Sequence, residues 1–96
     1  MHIAAYRFDG DPDDLQARYD TMLAGFPPGM ILLNLCVRRD DGITVIDACP
    51  TVADFEAFST GEEFASALAS VGLPTPRIEL HGNAVTTSGS LVATPA

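Results

Sequence analysis

The chain has 96 residues, with thirteen acids against five bases and a net charge of −8. Its hydrophobic share of 47% and mean hydropathy of +0.19 exclude a disordered chain, and its length excludes a multidomain one. All the bases are Arg and they are scattered, so the chain lacks the basic stripe that nucleic acid requires and the polybasic face that anionic lipid requires.

No apolar run approaches the ~20 residues of a bilayer span. The start MHIAAYRFDG has none of the features of a signal peptide, so the expected location is the cytosol, where Cys36 and Cys49 stay free thiols. The absence of Lys excludes Schiff-base chemistry. The chain is slightly too apolar for a small monomer, which predicts a partner over part of its surface.

Residues 2–8 (HIAAYRF) predict a strand, closed by Asp9-Gly10. Asp11 then serves as N-cap, Pro12 suits the first helical position, and Asp13 and Asp14 complement the positive end of the helix dipole. Leu15, Tyr19, Met22, Leu23 and Phe26 line one helical face, and Gly25 with Pro27-Pro28-Gly29 ends it. Residues 30–39 (MILLNLCVRR) are apolar enough for a strand buried on both faces. Asp41-Gly42 predicts a two-residue hairpin turn, residues 43–49 (ITVIDAC) the returning strand, and Pro50 its stop.

Thr51-Val52-Ala53-Asp54 opens a second helix as a capping box with Asp in place of Glu, and Phe55 and Phe58 face inward. Thr60-Gly61-Glu62-Glu63 is a second capping box, which predicts a kink or restart. Phe64, Leu68 and Val71 continue the apolar side, and Gly72 suits the C′ position. Residues 77–85 (RIELHGNAV) alternate as a strand with two unlike faces. Residues 86–96 form a loose tail in which Leu91-Val92 could dock on a neighbour.

The order β-α-β-β-α-β predicts a ferredoxin-like α+β plait over residues 1–85: a four-stranded antiparallel sheet with its helices on one face. A turn at Asp41-Gly42 sets Cys36 opposite Asp47 and Asn34 opposite Cys49. Ile31, Leu33, Leu35, Val37, Ile46 and Ala48 then share one face, and Asn34, Cys36, Val45, Asp47 and Cys49 the other. The apolar set is assigned to the helices, together with Ile78 and Leu80. The mixed set is assigned to the opposite side, where a second copy would close a barrel.

Asp41-Gly42-Ile43, Val45-Ile46-Asp47, Phe55-Glu56-Ala57-Phe58, ASVGLPTP at 69–76 and Ile78-Glu79-Leu80-His81 make the chain resemble dimeric α+β barrel proteins of the antibiotic-biosynthesis-monooxygenase type. The resemblance implies a face-to-face homodimer. It also implies a cofactor-independent monooxygenase acting on a small aromatic or polyketide-like substrate, in which the ionised substrate itself activates oxygen. Relatives often carry Trp just after the Asp of the third strand, where this chain has Cys49 or Pro50. The alternative is a homodimer without catalysis, either binding a small hydrophobic ligand or purely structural.

Asp47, inside an apolar strand, reads as a general base raised by burial, or as a structural ion pair with Arg7, Arg38 or a partner's Arg. His81 reads as a proton shuttle, as a haem ligand were the haem-degrading branch the model, or as a hydrogen-bonded strand residue; His2 is set aside as terminal. Asn34 holds a substrate or dioxygen-derived oxygen, or pairs across the dimer seam. Tyr6, Tyr19 and Phe55 line a pocket between helix and sheet, or simply pack there. A metal site needs more ligands than one His and a distant acid, and no cofactor motif is present.

Overall fold

A computed structural model describes residues 1–26 and 32–90. Met30, Ile31 and the Leu91-Val92 pair lie outside the described residues. The elements are β1 (His2–Asp9), α1 (Pro12–Ala24), β2 (Leu33–Arg39), β3 (Gly42–Cys49), α2 (Val52–Ser59), α3 (Glu62–Val71) and β4 (Arg77–Asn83). The strands form one antiparallel sheet in the order β2-β3-β1-β4, the ferredoxin-like arrangement.

The helix starts follow the local chemistry. Asp14 N donates to the Asp11 carboxylate at 2.9 Å, and Asp54 N donates to Thr51 Oγ1 at 3.1 Å. The second helical stretch restarts, but not through a Thr60 box. Thr60 closes α2, its hydroxyl donating to Glu56 O, and Gly61 opens α3 with no side-chain cap. Gly72 ends α3 at φ +76°, and Arg18 Nη1 donates to Val71 O at 2.8 Å, tying α1 to the end of α3.

The hairpin departs from expectation. Its two-residue loop is Asp40-Asp41, with Arg39 opposite Gly42, Asn34 opposite Asp47 and Leu35 opposite Ile46. Gly42 is needed in the strand, because a Cβ there would collide with the Phe8 carbonyl oxygen on β1. Arg39 secures the corner, donating from Nη2 to Phe8 O at 3.0 Å and from Nε to Thr44 Oγ1 at 2.9 Å.

The shift is by two residues, so side chains keep their company; the larger correction concerns which face the helices cover. Ala4, Tyr6 and Phe8 on β1 lie opposite Asp47, Val45 and Ile43, and this set packs under the helices against Phe55 and Phe64. Asp47, Asn34 and Cys36 are therefore on the helix side of the sheet. Leu33, Leu35, Val37 and Ile46 lie on the uncovered side, with Leu35 43% and Val37 44% exposed. The large aromatic rings of β1, α2 and α3 fill the space between the layers, and the aliphatic face is left outside. Strand β2 is accordingly an edge strand and is not buried on both faces. Ile78 and Leu80 part from that aliphatic set: they stand on the helix side, opposite Tyr6 and Ala4, yet are 43% and 55% exposed.

Candidate functional site

The site grows from the middle of β3. Asp47 is flanked by Asn34 on β2 and Ala4 on β1, and is 2% exposed. Ala4 leaves room beside the carboxylate, and the helices shut out water above it. No ion pair forms within the described residues: neither Arg7 nor Arg38, the two candidates in this chain, bridges to Asp47. Arg38 pairs with Asp13, and Arg39 with Asp9 and Asp41. The partner of Asp47 is neutral, the Asn34 amide Nδ2 donating to Oδ1 at 2.5 Å. Burial pushes the Asp47 carboxyl up to about 6, and the Asn34 hydrogen bond only partly opposes this.

Tyr6 and Tyr19 share this space. Burial pushes the Tyr6 phenol well above its ordinary value, and the nearby Asp47 charge pushes it the same way. Burial does the same for Tyr19, opposed by the Asn34 amide and reinforced by Asp47. Both phenols stay protonated at physiological pH. The Tyr6 hydroxyl is buried with no hydrogen-bond partner among the described residues. A void of about 20 Å³ lies among Tyr6, Tyr19, Asp47, Met22, Phe58 and Phe64, enough for about one water molecule. Outside it, a groove of about 650 Å³ runs between the end of β3 and the α2–α3 break, past Cys49, Asp54, Phe58, Glu62 and Phe64. Void and groove share Phe58 and Phe64 as walls.

The expected residues thus divide. Asn34, Asp47, Tyr6 and Tyr19 come together, with Phe55 packed at a tilt against Tyr6 at a ring-centroid distance of 5.4 Å. His81 does not join them. The β1–β4 pairing jumps from Ala4–Leu80 to Ile3–Gly82, leaving His81 as the unpaired residue of an irregular stretch on an exposed edge strand. His2, set aside as terminal, is buried against Phe55 at 5.8 Å, with Nδ1 unpartnered. Its signal was its place at the head of HIAAYRF, which becomes an inner strand. Cys49, on the groove wall, also escaped the sequence reading. Burial first, and then Asp47 and Asp54, push its thiol up, so it is not an activated thiolate. Among the described residues no group of His, Cys, Asp and Glu could hold a metal ion, and no helix is long and apolar enough to cross a membrane.

The fold and the helix-covered acid define a small α+β plait with a buried aromatic cavity. No family model matches the chain, and no curated protein matches it. Among solved structures it is similar to a candidate antibiotic biosynthesis monooxygenase from Deinococcus radiodurans. The TM-score is 0.61 and the identity 14%, over 93% of this chain and 100% of that one. The resemblance drawn from the sequence therefore holds at the level of fold.

Proposed function

We propose that the chain, folded as one unit over residues 1–85, acts as a face-to-face homodimer that oxygenates a small aromatic or polyketide-like substrate at its helix-covered carboxyl without a cofactor. The observation that carries this reading is Asp47: a buried carboxyl with no cationic partner, raised to about 6, beside an unpartnered Tyr6 hydroxyl in an aromatic enclosure. A group with that value is mostly ionised at neutral pH and basic enough to accept a proton. Asn34 holds the carboxylate in place.

Asp47 takes the proton of a ring hydroxyl whose keto tautomer carries an acidic CH2 group beside the carbonyl. The resulting anion gives one electron to dioxygen, and the two radicals join as a C–O–O⁻ peroxide. That oxygen takes the proton back from Asp47, and loss of water leaves a carbonyl. One CH2 and one O2 become one C=O and one H2O, with the substrate as the sole reductant. The protein excludes water and holds the proton.

The uncovered apolar sheet face, with Leu35 and Val37 exposed and Ile46 half-buried beside them, supports the homodimer. The small inner void favours a second reading, a dimer that binds a hydrophobic ligand in the groove without turnover.

Oxygen uptake with a panel of anthrone-like and naphthol-like compounds separates the two. The oxygenase reading expects uptake equal to product formed, lost in Asp47→Asn and unaffected by chelators. Binding of the same compounds with no uptake above the uncatalysed rate refutes it.

A further inference from the structure

The walls between groove and void carry a further assignment. Tyr6, Phe64, Phe58 and Phe26 form a continuous aromatic row, with ring-centroid distances of 5.1, 5.0 and 5.5 Å in turn. Behind the row lie two polar groups that the fold leaves under-used. The Tyr6 hydroxyl has no partner, and the Asp47 carboxyl is met by the Asn34 amide alone among the side chains described. Burying an unsatisfied hydroxyl is costly, and such groups persist where a ligand completes them.

The space is divided unequally. About 20 Å³ inside holds an oxygen atom but no ring, whereas about 650 Å³ outside lies within the range of small-molecule sites. An atom that both donates to Asp47 and accepts from Tyr6 is a hydroxyl oxygen; an ether cannot donate, and an ammonium cannot accept.

We propose that the groove binds a planar aromatic ligand through a ring hydroxyl that reaches past Phe58 to Tyr6 and Asp47, and that Phe58 is the movable wall that admits it. The inference rests on the cavity of the proposed function and adds the ligand's recognition group and its point of entry. Phe58 is the wall that moves, because it is only partly buried and sits in the last turn of α2, beside the break at Thr60-Gly61. Phe64 is buried in α3 and packs on Tyr6, so it stays. Phe58 meets Phe26 edge-on, at 61° between ring planes, and an incoming ring replaces that contact with another of the same kind.

The test uses 2-naphthol and its methyl ether, 2-methoxynaphthalene, titrated by their own fluorescence, which no Trp in this chain obscures. The expected result is about tenfold tighter binding of the naphthol, as one charge-assisted hydrogen bond supplies. Tyr6→Phe should remove much of this preference. In stopped flow, Phe58→Ala should raise the naphthol association rate by about tenfold while keeping the preference for the hydroxyl. Phe58→Leu serves the same purpose should the Ala variant not fold. Equal affinities for the two probes, no binding of the naphthol, or an unchanged association rate in a folded Phe58 variant overturns the proposal. Selective binding without oxygen uptake from any substrate refutes the oxygenase and leaves this site standing. Uptake with an unmoved association rate does the reverse.

Discussion

Replacing Asp47 with Asn should stabilise the protein at neutral pH. In the unfolded chain the carboxyl has its ordinary value of 3.8; in the folded chain it is raised to about 6, with burial as the main cause. Between those values the folded state binds the extra proton, so stability falls as pH rises through the window. The cost of keeping the group ionised is complete above the folded value and absent below the unfolded one. About 2 units correspond to about 3 kcal/mol at pH 7.5, and to roughly half of that at pH 5. Asn keeps an acceptor for the Asn34 amide but brings its own desolvation, so the recovery should be about 1–2 kcal/mol. For a chain of this length that raises the Tm by about 5–15 °C.

The assay is a series of melts of both proteins at equal concentration from pH 5 to pH 8. The chain carries a net charge of −8, so its general self-repulsion also changes with pH; the gap between the two proteins isolates Asp47. The gap should be widest at pH 7.5–8 and shrink on acidification. A lower Tm for Asp47→Asn at pH 7.5, or a gap that does not change with pH, would refute the reasoning and restore an ion pair supplied from elsewhere.

Other outcomes follow from the same structure. Leu35→Glu, on the uncovered sheet face, should convert a dimer into a folded monomer in sedimentation equilibrium; a wild-type protein already monomeric at micromolar concentration sinks the dimer. Both Cys should titrate as free thiols. Exposed Cys36 should react in the native state, and buried Cys49 only on unfolding, so equal rates would contradict its placement. Gly42→Ala should cost about 2–4 kcal/mol in chemical denaturation, because the new Cβ collides with the Phe8 carbonyl; a loss below about 0.5 kcal/mol would mean the strands part easily there. Thr51→Ala should cost about 1 kcal/mol through loss of the α2 cap.

The order of elements and most helix ends were legible in the chain, because they depend on neighbours in sequence. Asp11-Pro12, Thr51 and Gly72 act within one turn of the backbone. Alternation likewise sorted β2 and β3 into two sets of side chains, and a register two residues off left those sets unchanged.

Which set the helices cover was not legible. It is decided by what stands opposite across the layers, and the rings of Tyr6, Phe8, Phe55 and Phe64 draw the set containing Asp47 inward. The same cause separates the two histidines. His2 enters at the head of a strand with neighbours on both sides, whereas His81 falls on an irregular edge. Asn34 came to face Asp47 because the hairpin loop is Asp40-Asp41, with Gly42 taken into the strand beside the Phe8 carbonyl of β1, a neighbour far away in the chain. Local chemistry therefore named the acid and the amide. Only the packing of distant segments set them side by side, kept this chain's own arginines from Asp47, and placed them under an aromatic cover.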